Sequence, residues 1–169
     1  MDETRIAYRQ GTIADKEQLQ KLRLLSFGQY ESALTADNWT ILKSRLTDDS
    51  RYTDLFNTAQ AFVCEYDNKI IGMAFLVPHG NTTEVFQSDW AYIRMLGVDP
   101  LYGGRGIAKN LTTICIDHAV QAGEKTIALH TAEFMDAARH IYESIGFKKV
   151  HEIAPQFGKR YWLYTLDLT

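Results

Sequence analysis

The spacing of apolar residues changes along the chain and predicts alternating strands and helices. Short apolar runs that include β-branched residues are typical of strands. Such runs cover residues 6–9, 61–66, 70–77, 91–98, 126–131, 147–153 and 161–168. Apolar residues three and four positions apart are instead typical of helices. Stretches with that spacing begin at Asp15, near Thr35, at Gly106 and at Met135.

Turn and cap residues support these boundaries. Asp15 is placed as a helix N-cap, and Gln18 follows three residues later in a capping-box-like spacing. Asp67-Asn68 lies between two apolar runs and suits a tight hairpin turn. Gly123 and Gly146 stand where glycine commonly ends a helix. The predicted order is β-α-α-β-β-β-α-β-α-β-β, and its central hairpin favours a mixed sheet over a doubly wound parallel one.

Length and composition are those of one globular domain. The chain has 169 residues, and a chain of this size buries about 68–70% of its surface on folding. We therefore expect a single domain that spans residues 1–169. Hydrophobic residues make up 46% and charged residues 23%, which is ordinary for a folded protein. Cys64 and Cys115 both lie in apolar runs, so we expect buried free thiols and no disulfide.

The charge balance disfavours several classes of partner. The net charge is −3, and no basic cluster suitable for nucleic acid is present. A mildly acidic surface would instead favour cationic partners. The N-terminus lacks a signal-peptide pattern, and no apolar run approaches the roughly 20 residues of a membrane span. The histidines show no metal-ligand spacing. We therefore expect a cytoplasmic protein that binds no nucleic acid, membrane or metal.

The glycine cluster between residues 96 and 109 is the most informative motif. Gly103, Gly104 and Gly106 lie between a predicted strand and a predicted helix. Glycine lets the backbone approach a ligand closely, and the first N–H groups of a helix have no internal partner. Together these features predict an anion site. A Walker loop is absent, and a dinucleotide fingerprint would place Lys109 at its third glycine, which disfavours a nucleotide-binding regulatory domain.

This cluster is similar to the glycine loop of the GNAT N-acyltransferase family, Gln/Arg-x-x-Gly-x-Gly/Ala preceded by Val-x-Pro. Val98-Asp99-Pro100 and Gly106-Ile107-Ala108 match that pattern, whereas Gly103 stands where Gln or Arg is usual. The stretch Ala138-x-x-x-Tyr142-x-x-x-Gly146-Phe147 is similar to a later motif of the family. Met135 stands where that motif usually begins with Asn. The order of elements is also similar, so the resemblance covers nearly the whole chain.

The resemblance implies a GNAT-like α/β fold, with a mostly antiparallel mixed sheet of about six or seven strands and about four helices. It also implies an N-acetyltransferase that uses acetyl-CoA as cosubstrate. Tyr142 matches the general acid that protonates the CoA thiolate, and the Val98 backbone N–H would stabilise the oxyanion. The implied residues of the acetyl-CoA site are Leu96, Gly97, Val98, Gly103, Gly104, Arg105, Gly106, Ile107, Ala108 and Lys109.

The acceptor implied by the resemblance is a primary amine of a small molecule or peptide. Its binding wall would lie between the first two helices and in the loop 79–89. We expect Phe27 and Tyr30 to contribute aromatic contacts there, and Glu31 to recognise a cationic acceptor. A base must remove a proton from the amine. The candidate carboxylates are Glu84, which we assign, and the alternatives Asp89 and Glu133.

A second class of function stays open. The departures at Gly103 and Met135, together with the lack of a clear base, fit a non-catalytic acyl-CoA binding or sensing module of the same fold. Such a module would bind CoA without turnover. Either protein would be a monomer or a homodimer, and the aromatic final strand around residues 161–164 could pair or pack across a dimer.

Overall fold

A computed structural model describes all residues from Met1 to Thr169 and contains one seven-stranded sheet. The strands are β1 (Ile6–Gln10), β2 (Gln60–Tyr66), β3 (Lys69–Val77), β4 (Ala91–Val98), β5 (Thr126–Ala132), β6 (Lys148–Gln156) and β7 (Lys159–Asp167). They lie in the order β1-β2-β3-β4-β5-β7-β6. Only β4 and β5 are parallel neighbours, and every other pair is antiparallel. The predicted mixed, mostly antiparallel sheet is confirmed.

Helices cover both faces of this sheet. They are α1 (Lys16–Gly28), α2 (Ala36–Leu46), α3 (Asp49–Thr58), α4 (Ile107–Gln121) and α5 (Asp136–Ile145). On one face, α1 and α3 bury Leu19, Leu22 and Tyr52. On the other face, α4 and α5 bury a larger cluster that includes Leu111 and Tyr142. The longest helix has 15 residues, and none has the length and apolar character that crossing a bilayer requires.

Helix α3 is absent from the sequence prediction, which contained about four helices where the structure has five. The reason is its weak apolar signal, because Tyr52 is its only buried residue. The helix is rich in Asp, Ser, Thr and Asn, which compete for backbone hydrogen bonds and favour turns. Its start is nevertheless well capped, since the Asp48 side chain accepts a hydrogen bond from the Ser50 N–H at 3.0 Å.

The predicted capping box of Asp15 and Gln18 is wrong. A 3₁₀ turn over Ile13–Asp15 precedes α1, so the box forms one turn earlier, between Thr12 and Asp15. The Asp15 carboxylate also accepts two hydrogen bonds from Arg9, each 2.8 Å long. Gln18 instead accepts a hydrogen bond from the Ile70 N–H at 3.2 Å, which ties α1 to β3.

The predictions at the hairpin turn and the cysteines are confirmed. Asp67 and Asn68 both adopt left-handed backbone, with φ of 52° and 63°, as a tight turn between β2 and β3 requires. Gly146, with φ of 119°, ends α5 in the way that glycine ends many helices. Cys64 and Cys115 are buried free thiols.

The strands β4 and β5 separate soon after they begin, and this separation opens a cleft. Their pairing is limited to Ala91 with Ile127 and Tyr92 with Ala128. Beyond that point the register of β4 against β3 shifts, and Met95 adopts a positive φ of 55°. A bulge of this kind bends and twists a strand locally. The later half of β4 therefore diverges from β5 and opens the sheet.

The aromatic final strand does not offer an edge for pairing with a second copy. Strand β7 lies between β5 and β6 and is hydrogen-bonded to both. Its residues 161–164 are buried. They belong to the interior of the sheet because β7 inserts between β5 and β6, and β6 is the edge strand. The suggestion that this strand pairs across a dimer is therefore wrong.

Candidate active site

A cleft of about 700 Å³ lies where β4 and β5 diverge. Its walls come from α1, β4, the glycine loop, β5 and α5. Helix α1 approaches β4 closely because Gly97 has no side chain. A Cβ atom at Gly97 would lie 2.8 Å from Ser26 Oγ, closer than such atoms can pack. Elements from both faces of the sheet line the cleft, and its two halves differ in chemistry.

The glycine loop lies at one end of the cleft, and Asp99 holds its first turn. The buried Asp99 carboxylate accepts hydrogen bonds from the Leu101 N–H at 3.0 Å and from Lys69 Nζ at 3.3 Å. Gly104 and Gly106 follow with φ of +73° and +77°. This left-handed backbone costs other residues about 1–2 kcal/mol. Gly106 is also the N-cap of α4.

The start of α4 has the free donors that the glycine motif predicts. The consecutive backbone N–H groups from Gly104 to Lys109 donate no hydrogen bond within the chain. They lie at the N-terminal end of a 15-residue helix, where the helix dipole and unpaired amides favour an anion. The Gly103 N–H is not among them, because it donates to the Pro100 carbonyl at 3.2 Å.

Most residues expected at the acetyl-CoA site line this cleft. They are Leu96, Gly97, Val98, Gly103, Gly104, Gly106, Ile107 and Ala108. Arg105 and Lys109 do not line it, and both are exposed. The unpaired donors at this end of the cleft are therefore backbone groups, and these two cationic side chains lie at the outer surface.

Tyr142 lies in α5 on the wall of the cleft. Its side chain is 6% exposed and packs edge-to-face against Phe147. Burial raises the pKa of Tyr142, so the phenol keeps its proton throughout the neutral range. Tyr142 lines the cleft, and its hydroxyl takes part in none of the side-chain hydrogen bonds that other tyrosines of the chain make. A protonated, unpartnered phenol in this position is able to donate a proton.

The Val98 N–H, expected to stabilise an oxyanion, already has a partner. It donates to Ser26 Oγ at 3.1 Å. Ser26 is 4% exposed and lines the cleft from α1. The close approach of α1 at Gly97 brings this hydroxyl to the backbone of β4. In this arrangement Val98 is therefore not free to donate to a substrate, although its position on the cleft wall agrees with the prediction.

The residues expected around the acceptor separate into two groups. Phe27 and Tyr30 line the cleft, and their rings contact each other at a centroid distance of 6.4 Å. Glu31 is exposed and does not line it, so it is not placed to recognise an acceptor there.

Glu84 also lies outside the cleft. The Thr83 hydroxyl accepts a hydrogen bond from the Phe86 N–H at 2.9 Å, and Phe86 stacks on Tyr92 in the core. This loop conformation leaves Glu84 exposed on the outer side. Neither of the alternative bases, Asp89 and Glu133, lines the cleft. The carboxylate base expected from the sequence is therefore not supported at any of these positions.

The polar cleft residues that the sequence analysis missed include Arg23, Ser26, Arg94 and His130. Arg23 and Ser26 are three residues apart on one face of α1, and that helical spacing is a signal available in the sequence. Arg94 interrupts the apolar run of β4, which is a second such signal. Nothing in the sequence indicates that His130 lies beside Arg94.

His130 is a titratable group held uncharged by its surroundings. Burial, and secondly the positive charge of Arg94, lower the pKa of His130 to about 4. Its Nδ1 atom is buried without a hydrogen-bond partner. The ring lies between Phe86 and Tyr161, at centroid distances of 5.6 and 5.9 Å. The imidazole is therefore neutral at physiological pH.

This depressed pKa predicts a loss of stability in acid. Between pH 6.5 and 4 the unfolded chain protonates His130 while the folded chain does not, so the free energy of unfolding decreases as the pH falls. We expect the wild type to lose up to about 3 kcal/mol more than His130→Gln between pH 7 and 4. Urea unfolding of both proteins across this range measures the difference. Parallel stability curves would contradict the prediction.

Comparison with known proteins agrees with this geometry. The chain is 32% identical over 106 residues to mycothiol acetyltransferase from Streptomyces avermitilis, a match covering 63% of this chain but only 32% of that protein. It is 28% identical over 122 residues to the uncharacterized N-acetyltransferase YjgM from Escherichia coli, covering 71% of this chain and 70% of YjgM. The chain thus spans only about a third of the first relative.

A solved structure shares the fold. PaiA N-acetyltransferase from Thermoplasma acidophilum, in complex with coenzyme A, superposes with a TM-score of 0.74 at 17% identity, covering 94% of this chain and 97% of that one. The model of the acetyltransferase (GNAT) family matches residues 21–147. Since that match covers most of the chain and includes the later part of α1, the glycine loop and Tyr142, the chain belongs to the acetyltransferase (GNAT) family.

Proposed function

We propose that this protein is an N-acetyltransferase that moves an acetyl group directly from acetyl-CoA to a primary amine of a small molecule or peptide. One observation carries the proposal. A single cleft joins a cluster of unpaired backbone amides at the start of α4 to the unpartnered hydroxyl of Tyr142. An anion site and a proton donor in one cleft are what a phosphorylated thioester cosubstrate and its leaving thiolate need.

The residues present fit the phosphate-bearing part of acetyl-CoA. A pyrophosphate needs several donors and no nearby carboxylate, and the free N–H groups from Gly104 to Lys109 meet that need. The one buried carboxylate beside them, Asp99, is paired with Lys69. The absence of a side chain at Gly103 removes one expected contact but leaves this backbone cradle intact. Leu96 and Val98 would line the pantetheine arm along β4.

The proposed chemistry needs a proton at the sulfur and a neutral acceptor amine. Acetyl-CoA supplies the acetyl group in activated form as a thioester. As the amine nitrogen bonds to the carbonyl carbon, the carbon–sulfur bond breaks. Tyr142 then gives its hydroxyl proton to the thiolate, the amine loses a proton to solvent or a neighbouring group, and solvent returns a proton to the Tyr142 phenolate. Because burial raises the pKa of Tyr142, the phenol is a weak acid that is protonated before each turnover and whose phenolate regains its proton readily afterwards.

The first test is ligand-dependent thermal stability, followed by an acetylation assay with a panel of amines. A ligand at 100 times its Kd adds about 2.7 kcal/mol, which raises the Tm of a domain of this size by roughly 5–11 °C. We expect that shift with acetyl-CoA and CoA but not with ATP or NAD, and acetylation of at least one amine. A shift without turnover of any amine would favour the sensing module. No shift with acetyl-CoA would overturn the proposal.

A further inference from the structure

Arg23 is a buried guanidinium that lacks acceptors within the chain. It lies on α1, lines the cleft and is 3% exposed. Its Nε and Nη2 atoms are buried without a hydrogen-bond partner. The Tyr52 ring stacks on it at 4.7 Å, but this contact covers the face of the guanidinium and leaves its in-plane N–H groups unsatisfied. Buried charged groups are normally paired, so these donors indicate a missing anion.

Arg94 is a second cation of the same cleft, and it also has no partner. It takes part in none of the hydrogen bonds or ion pairs that other arginines of the chain make. Burial lowers the pKa of Arg94, with the charge of Arg51 adding to the effect. Its cross-strand neighbour is Phe75 of β3. A half-buried guanidinium beside an uncharged His130 therefore faces the cleft with its charge uncompensated.

The remaining charged groups of the cleft are already compensated or exposed. Arg45 donates to Gln156 at 3.3 Å, and Arg51 lies 3.5 Å from the carboxylate of Asp48. The buried carboxylate Asp99 is paired with Lys69. The only other lining carboxylate, Asp54, is exposed. The two unpaired arginines are thus a local excess of positive charge in a protein whose net charge is −3.

The phosphates of acetyl-CoA do not account for these arginines. Ile93 packs against α4 in the core, and side chains alternate along a strand, so Arg94 lies on the opposite face with Tyr92. Phe75, its cross-strand neighbour, likewise belongs to the α1 and α3 face. The glycine loop leads instead into α4. The free amides and the unpaired arginines therefore belong to different halves of the cleft.

We infer that the acceptor is a small amine that also carries a carboxylate, such as an α-amino acid, and that Arg94 and Arg23 bind this carboxylate. The inference rests on the proposed function for the transfer step. Guanidinium and carboxylate form short, directional hydrogen bonds. Tyr30, Phe157 and Tyr161 line the same cleft and suit an apolar or aromatic side chain. This acceptor differs from the cationic one that net charge and Glu31 suggested.

Matched amino acids and amides test the inference on the wild-type protein. L-Phenylalanine, L-leucine and glycine are each compared with their amides, by thermal shift and by acetylation rate. Each amide has nearly the same size as its acid but a lower amine pKa. A larger fraction of the amide is therefore neutral and reactive, which opposes the expected preference for the acid. We expect binding and kcat/KM to be at least about tenfold better for the acid of one pair. Equal values in every pair, or no binding by any compound, would overturn the inference.

Variants of Arg94 then test whether this residue causes the preference for the acid over the amide. We expect Arg94→Gln to raise KM for the acid about tenfold or more and to leave KM for the amide and the ligand-free Tm nearly unchanged. Arg94→Lys should restore part of the preference because it keeps the charge. Arg160→Gln, an exposed arginine paired with Glu152 outside the cleft, is the matched control and should keep the preference in full. An unchanged preference in Arg94→Gln would contradict the assignment.

Two further outcomes separate the inference from its premises. If the acid shifts the Tm but no amine is acetylated, the proposed transferase fails while the carboxylate site stands. Aminomethylphosphonate, compared with glycine, distinguishes a phosphate-type anion from a carboxylate. A preference for the phosphonate would overturn the carboxylate assignment.

Discussion

Tyr142→Phe is expected to lower kcat about 10²-fold or more, the usual scale of general acid catalysis. The substitution removes one oxygen from a side chain that is 6% exposed and leaves the ring in contact with Phe147. Because packing is retained, we expect Tm and the Kd of acetyl-CoA to stay within the error of the wild type. Steady-state acetylation rates and calorimetric titration with acetyl-CoA measure the two quantities.

A matched control separates catalysis from packing. Tyr164 is a fully buried tyrosine outside the cleft, and its hydroxyl donates to Glu143 at 2.9 Å. Tyr164→Phe should therefore cost about 1 kcal/mol of stability and leave kcat unchanged. If Tyr142 were only a core aromatic, the two variants would behave alike. Unchanged turnover in Tyr142→Phe would remove this residue from the mechanism.

The double substitution Gly104→Ala with Gly106→Ala is expected to weaken acetyl-CoA binding by up to about 10²-fold. Each residue has a positive φ that costs an alanine about 1–2 kcal/mol. Space is not the obstacle, since a Cβ atom at either position meets no atom within 4 Å. Because the loop is exposed, we expect the variant loop to adopt another conformation in the free protein. Restoring the left-handed conformation on binding would then reduce the binding free energy of acetyl-CoA. Calorimetric titration with acetyl-CoA measures the loss.

Gly28→Ala is the control for this loop variant. Gly28 lies in α1 without a positive φ, and an added Cβ atom has open space. Alanine there should leave the Kd of acetyl-CoA unchanged and raise stability by about 0.5–1 kcal/mol. If the loop variant bound acetyl-CoA as tightly as Gly28→Ala does, the left-handed loop would not be the anion cradle.

The elements with strong periodic patterns could be predicted because local spacing reports burial directly. The alternating helices and strands predicted after residue 60 all appear in the structure, and all of them except the mostly exposed β6 carry buried apolar residues. Helix α3 could not be predicted, because a helix that buries only Tyr52 is stabilised by tertiary contact rather than by its own pattern.

The cosubstrate half of the site follows largely from the sequence. A strand, a glycine turn and a helix start are adjacent in the chain, so their free amides converge without any long-range contact. The structure departs from the predicted acetyl-CoA site only at the side chains of Arg105 and Lys109, which are exposed. Their exposure depends on how α4 packs, which the local sequence does not specify. Spacing alone likewise places Tyr142 on the inner face of its helix.

The half of the cleft that we propose binds the acceptor was decided only by tertiary structure. Arg23 and Arg94 are ordinary arginines in the sequence, and they line one cleft because α1 packs closely on β4 at Gly97. Ser26 reaches the Val98 N–H for the same reason. Glu31 and Glu84, which the sequence favoured, lie outside because the loops that carry them fold toward solvent. The sequence thus determined the free amides at a helix start, a local property of the backbone, which we propose bind an anion. The charge of the acceptor pocket depended on contacts between distant segments.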